Sequence, residues 1–213
     1  MDTVVLPKAV NAPLDMTLWL QADWHKVLQN VRKIQCRIVH AVQTNRWRTA
    51  RNLQRLLTRS LSAKLLAVKR VVENRGNRTP GIDGETWRTA KAKTKAVHSL
   101  KTRFYKAKPL KRVYIPKANG KKRPLGIPTF LDRAMQALYS LALEPITETL
   151  ADNHSYGFRP KRSPADAIAQ CFNLLVRSNN AQWILEADIK GCFGAPGKAW
   201  CFQRVQFPSL ERA

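Results

Sequence analysis

From Trp24 to Val72 the chain carries twelve Lys or Arg residues and no Asp or Glu. Within that run Trp24, Val27, Val31, Ile34, Ile38 and Ala41 recur at three- and four-residue steps. This spacing predicts a helix beginning near Thr17 with one apolar stripe. Lys26, Arg32, Lys33 and Arg37 occupy its other face. Thr44-Asn45 breaks the pattern, and a second helix is expected from about Trp47 to Val72. Its stripe is Leu53, Leu56, Leu57, Leu61, Leu65, Val68 and Val72. A helix pair that needs only solubility mixes signs, because a Glu–Lys pair one turn apart adds about 0.2–0.5 kcal/mol. This pair has no such partners. The reading is a helical hairpin turned toward phosphate, with Arg37, Arg46, Arg48, Arg51 and Arg55 as contact residues.

The whole chain repeats the imbalance: 213 residues hold 38 Lys and Arg against 14 Asp and Glu, a net charge of +24. Such a charge repels itself unless a polyanion neutralises it. Nucleic acid is the expected polyanion, because binding releases its counterions, and an anionic membrane surface is second. No apolar run of about 18 residues exists, so no membrane span is expected. The first residues, MDTVVLPKAVNAPLD, lack the basic and apolar regions of a signal peptide, and residues 1–16 read as a flexible leader. Cys36, Cys171, Cys192 and Cys201 form no Cys-x-x-Cys pair, and His25, His40, His98 and His154 are scattered. Zinc spacing is therefore absent, and the cysteines read as reduced, partly buried thiols of a cytosolic protein.

Asn74–Gly84 is dense in turn formers and reads as a loop whose Arg75 and Arg78 touch phosphate. Glu85 to Leu100 reads as a shorter helix. Residues 101–123 then hold ten Lys or Arg without an acid, interleaved with Phe104, Tyr105 and Tyr114. Rings among cations suit a nucleic-acid surface, though a half-buried strand also favours Tyr. Val113, Tyr114 and Ile115 are strand formers, Asn119-Gly120 is a turn signal, and Leu125-Gly126-Ile127 resumes as a strand. A β-hairpin follows, with Arg112 at its start and Lys117, Lys121, Lys122 and Arg123 in its loop.

Leu131 to Leu150 reads as a helix with Met135, Leu138, Leu141 and Leu143 in the core and Pro145 kinking it or ending its first half. Asp152–Arg162 is a loop ending in Arg159, Lys161 and Arg162. Ser163-Pro164 is a preferred helix start, and Ala165, Ile168, Ala169, Phe172, Leu175 and Val176 are its expected buried face. Gln182–Asp188 reads as a strand that brings Glu186 and Asp188 to one side. Carboxylates in so basic a chain suit a divalent metal; the plainer alternative is an Asp188 satisfied by Lys190.

Six segments in order resemble the first half of a group II intron reverse transcriptase, also called a maturase. They are QCRIVHAVQTNRWRTARNLQRLLTRS, NRTPGIDG, RVYIPKANGKKRPLGIPT, DRAMQALYSLALEP, SYGFRPKRS and LEADIKGCF, and the likeness runs from about Asp15 to Phe193. The resemblance implies an α+β fold: a helical N-terminal extension over residues 17–90, then polymerase fingers and the first strand of a right-hand palm over 91–193. It implies that Asp188 is catalytic and holds Mg²⁺ with the backbone carbonyl of Ile189. Lys117 and Arg123 would hold the triphosphate of a dNTP, and Phe193 would lie under its deoxyribose. The implied partners are group II intron RNA, an RNA template and a DNA primer, and the implied chemistry is metal-assisted phosphoryl transfer.

The chain then departs from that pattern. After Phe193 it reads GAPGKAWCFQRVQFPSLERA, with no helical stripe, and it contains no Tyr-x-Asp-Asp. Residues 194–213 are expected to be an aberrant, disordered tail from a truncated gene. A fragment of this kind is expected to lack polymerase activity alone, and to use Mg²⁺ only if the missing palm carboxylates are supplied. Two other readings are a stand-alone intron-RNA-binding splicing factor and half of a split enzyme completed by a C-terminal polypeptide. The expected location is cytoplasmic, in a bacterium or organelle, with nucleic acid and away from membrane.

Overall fold

Capping side chains set the helix boundaries in the N-terminal half. A short helix, α1 (Thr17–Leu20), precedes α2 (Trp24–Gln43), and Asp23 begins α2 by accepting the Lys26 backbone N–H at 3.0 Å. The single helix expected from Trp47 to Val72 is two, α3 (Trp47–Arg59) and α4 (Leu61–Glu73). Ser60 divides them. Its Oγ donates to the Leu57 carbonyl at 2.9 Å and accepts the Ala63 N–H at 3.1 Å, so one serine closes α3 and opens α4. The apolar spacing continues across it, which is why periodicity does not reveal the break.

The computed structural model describes residues 17–116, 118, 120–177, 179 and 183–187, in two compact units divided after Pro145. In the first unit α2 packs on α3 and α4. The helix α5 (Ala90–Ser99) packs on α4 and α1, and begins at its Thr89 cap instead of at Glu85. Val31, Ile38, Leu57, Val68, Val97 and Leu100 fill the core with Phe130, Met135, Leu138 and Leu141 of α6 (Phe130–Leu150). Leu56 departs from the expected stripe: it is 50% exposed.

Pro145 lies inside α6, and the helix continues past it to Leu150. Proline has no N–H, so the Leu141 carbonyl one turn earlier loses its helical donor. Gln35 of α2 supplies one, its Nε2 donating to that carbonyl at 2.9 Å. Gln54 of α3, 1% exposed, donates to the neighbouring Ala142 carbonyl at 2.9 Å. Two glutamine amides thus fasten the N-terminal helices to α6 where the proline loosens it.

The strands β1 (Lys111–Pro116) and β2 (Lys122–Ile127) form an antiparallel hairpin, and the fold is α+β. Lys122 and Arg123 belong to β2, a correction to their expected place in the loop. The closing pair is Pro116 with Lys122, and Gly120 has φ +73°, which suits glycine. Lys117 and Asn119 lie outside the described residues.

In the second unit Ser163 and Asp166 make a reciprocal capping box that starts α7 (Pro164–Leu175), as Ser163-Pro164 indicates. The expected buried face of α7 is not buried. Ile168 and Phe172 are 68% and 64% exposed, and Ala165, Ala169, Leu175 and Val176 are not buried either. An amphipathic helix buries its stripe only against a partner surface, and the described residues of this unit supply none. Residues 183–187, expected as strand, pair with no strand among the described residues, and Trp183, Ile184 and Leu185 are exposed. Cys36 and Cys171 are exposed rather than partly buried. Residues 1–16 and 194–213, with Cys192 and Cys201, lie outside the described residues.

The proline–glutamine contact is testable by a double-mutant cycle. Gln35→Ala is expected to lower stability by about 0.5–1.5 kcal/mol. In a Pro145→Ala background, where the helix regains its own N–H, the same change should cost clearly less in urea unfolding.

Candidate nucleic-acid interface

Arg48, Arg51, Arg55 and Arg59 follow one another along α3 at three- and four-residue steps, and all are exposed. Ala50, Leu53, Gln54 and Leu57 are buried on the opposite side. The helix therefore has one face for the core and one of guanidinium groups, with no acid between them. Arg37 is exposed on α2. Arg46, just ahead of α3, is steadied by Nε donating to Thr44 Oγ1 at 3.0 Å and by Nη2 lying 3.0 Å from His40 Nε2. Two lysines sit on rings: Lys69 Nζ is 4.3 Å from the Trp24 centroid, and Lys93 Nζ is 5.3 Å from that of Trp19. Burial, and then the charge of Lys101, lower the pKa of Lys64.

The start of α6 holds the Asn74–Gly84 loop in place. Arg133 Nη1 donates to the Gly76 carbonyl at 2.9 Å, Nη2 to that of Thr79 at 2.6 Å, and Nε to that of Pro128 at 3.1 Å. Gly81 lies so close to Thr129 that a Cβ there would come within 2.6 Å of the Thr129 Cα. Thr129 Oγ1 accepts the Asp132 N–H at 3.1 Å and donates to Asp132 Oδ2 at 2.6 Å. Tyr105 Oη donates to the other oxygen, Oδ1. Burial, and then the bond to Asp132, push the pKa of the Tyr105 hydroxyl up. Trp87 meets Phe130 edge-on at 5.5 Å. Arg75 and Arg78 remain accessible on this fastened loop. Arg78 also lines a cavity of about 540 Å³ with Val72, Asn77, Trp87, Arg88 and Lys93. Sequence patterning does not single out Arg88, Lys93, Asp132 or Arg133. The Thr-x-x-Asp spacing at 129–132 is the one available signal, since it is a capping pattern.

The hairpin separates its cations. Ile115 pairs with Arg123 and Val113 with Leu125, so these share one face; Arg112, Tyr114, Pro124 and Lys122 lie on the other. Lys121 is exposed beside the closing pair. In the second unit Arg159 is engaged by its own loop. Its Nη2 donates to Glu148 Oε2 at 2.8 Å, its Nε to Oε1 at 3.1 Å, and its Nη1 to the Ser155 carbonyl at 2.9 Å and to that of Asp152. The Arg159 bond lowers the pKa of Glu148. Lys161 and Arg162 are exposed, with Arg162 stacked 5.6 Å from the Tyr156 centroid. Asp188, Ile189 and Phe193 lie outside the described residues, as does Lys117. Among the described residues no three His, Cys, Asp or Glu side chains gather as a metal would need, and no helix is long and apolar enough to cross a membrane.

Two family models match in succession: the N-terminal domain of reverse transcriptase over residues 19–100, and reverse transcriptase (RNA-dependent DNA polymerase) over residues 115–195. The chain belongs to the reverse transcriptase family. Within it, the resemblance is to the group II intron-encoded reverse transcriptases and maturases. The chain is 40% identical over 132 residues to the group II intron-encoded protein LtrA of Lactococcus lactis subsp. cremoris, covering 60% of this chain and 21% of LtrA. It is 37% identical over 151 residues to protein YkfC of Escherichia coli (strain K12), covering 66% of this chain and 39% of YkfC. It is 33% identical over 145 residues to an uncharacterized 91 kDa protein in the cob intron of Schizosaccharomyces pombe, covering 67% of this chain and 18% of that protein. The chain thus spans between a fifth and two fifths of the length of LtrA and YkfC.

Tyr105 gives this site a pH signature. Its pKa is raised in the folded state, so the stability it contributes is complete below the ordinary value of 10.0 and is lost as pH rises above it. Tyr105→Phe should cost about 1–3 kcal/mol at neutral pH by leaving Asp132 Oδ1 without its donor. Above that ordinary value, its stability should fall less steeply with pH than that of the parent chain; equal slopes would contradict the assignment.

Proposed function

We propose that this chain is the nucleic-acid-gripping part of a group II intron reverse transcriptase/maturase, residues 17–90 forming its helical extension and 91–193 its fingers and the start of its palm. The observation that carries the reading is the α3 face of Arg48, Arg51, Arg55 and Arg59, set opposite a buried face and free of acids. A row of guanidinium groups tracks phosphates, and each one neutralised releases counterions. Arg37, Arg46, Arg75 and Arg78 extend the same surface toward intron RNA and template. Arg112, Lys121 and Lys122 are further cations of the first unit for this role, and Lys161 and Arg162 are those of the second unit. Arg159, fastened to Glu148, shapes its loop while adding charge.

Lys117 and Arg123 hold the triphosphate of a dNTP in this reading, and Phe193 lies under its sugar. Asp188 and the Ile189 carbonyl would hold Mg²⁺, which supplies activation of a primer 3′-hydroxyl when bound. One aspartate does not complete a two-metal site, and the 213 residues contain no Tyr-x-Asp-Asp. These residues alone therefore bind nucleic acid without extending a primer, in a cytoplasmic or organellar setting.

The test is the salt dependence of binding to single-stranded RNA. Replacing Arg48, Arg51 and Arg55 together by Ala should flatten the slope of log K against log salt by about 0.7 for each phosphate that is no longer neutralised. An unchanged slope would remove α3 from the interface. In the same preparations, Mg²⁺-dependent incorporation of dNTPs would overturn the proposed lack of polymerase activity.

A further inference from the structure

Two exposed phenylalanines outside the arginine face are set apart by their backbone conformation. Among the described residues Asn45, Phe104, Phe158 and Lys161 are non-glycine residues with positive φ. Asn adopts that region readily, but a bulky aromatic there is an outlier that only the surrounding structure sustains. Phe104 has φ +58° and Phe158 has φ +59°, and their exposures are 85% and 110%. Each backbone is strained, yet the ring it carries is turned into water. Hydrophobic burial within the unit offsets neither.

Both turns are built alike. The residue after each Phe is fastened inward: Tyr105 to the buried Asp132 carboxyl, and Arg159 to Glu148 and to the Asp152 and Ser155 carbonyls. Anchoring that neighbour while the Phe takes positive φ directs the ring outward. Both rings also belong to stretches of sequence rich in Lys and Arg. Arg103 sits 4.8 Å from the Phe104 centroid, and no acid occurs from Lys101 to Arg123 or from His154 to Arg162. An apolar protein surface gains little from a lone ring amid positive charge. A single strand offers phosphates to the cations and the π-face of an unpaired base to the ring.

We propose that Phe104 and Phe158 are stacking platforms for unpaired bases of single-stranded nucleic acid, one in each unit. This rests on the reading that the chain binds nucleic acid, and adds an interaction that phosphate-binding arginines cannot make. A duplex hides its base faces, so these rings select single strands. The occupant is a nucleic-acid base, and a protein partner is an outcome that the test separates.

Phe104→Leu and Phe158→Leu keep apolar bulk and remove the ring. The full chain and both variants are titrated with a short unstructured RNA, an abasic strand of equal charge, and duplex RNA. Each Leu variant should bind the single strand at least about fivefold more weakly. The salt slope should be unchanged, because every phosphate keeps its cation. The abasic strand and the duplex should bind as before, and Phe→Trp at either position should restore single-strand binding. Thermal unfolding should not move, since both rings are exposed. Unchanged single-strand affinity, or an equal loss on the abasic strand, overturns the stacking role while leaving the nucleic-acid reading intact. If the parent chain shows no salt-dependent binding to any strand, both fall together.

Discussion

The Asp132 carboxyl group is the point on which the first unit depends. It is 3% exposed, and both oxygens have donors: the Tyr105 hydroxyl on one and the Thr129 hydroxyl on the other. Removing a donor from a buried group of this kind costs about 1–3 kcal/mol, a large part of the stability of a small unit. The start of α6 therefore needs the segment around residue 105 and the Pro128-Thr129 turn in position together. The adjacent Arg133 adds the Gly76 and Thr79 carbonyls to the same junction. Segments that would otherwise repel one another are held by hydrogen bonds to a single helix end.

That arrangement accounts for how a chain with net charge +24 keeps a core. Core side chains of α2, α3, α4 and α6 such as Ile38, Leu57, Val68 and Leu138 are buried, each contributing about 1.5–3 kcal/mol. The guanidinium groups of α3 point the other way, where water screens their repulsion. Ion pairs such as Lys69–Glu73 at 3.8 Å are exposed and contribute little. The charge is thus carried by a fold whose stability comes from elsewhere, and it is available to a polyanion. Membership of the reverse transcriptase family fits this division of labour.

Much of this is legible in the residues. The stripes of α2 and α6, the Ser163 cap and the hairpin all follow from spacing and local chemistry. The run of Lys and Arg without acids from Trp24 to Val72 marks the α3 region as cationic, while the gathering of Arg48, Arg51, Arg55 and Arg59 opposite the core is visible in the structure. What escapes is long-range or doubly used. Ser60 ends one helix and begins the next without disturbing the apolar spacing. Gln35 looks like an ordinary polar position until Pro145, far along the chain, leaves the Leu141 carbonyl open, and Gln54 donates to the carbonyl beside it. Arg159 reads as one more surface cation until Glu148 and two carbonyls claim it. The stripe of α7 reads as core because periodicity reports amphipathicity, while burial depends on a partner surface. The separation of Arg123 from Arg112 and Lys122 requires the strand register, which composition does not carry.

The most direct test of this division between scaffold and surface is amide hydrogen exchange on the chain, with and without single-stranded RNA. The account predicts that α2, α4 and the first turns of α6 are protected before RNA is added. It predicts that RNA then slows exchange chiefly at α3, the hairpin and the loop at residues 74–79. Exchange that is fast everywhere until RNA arrives would contradict it, because the fold would then depend on its ligand and not on the Asp132 junction and the core.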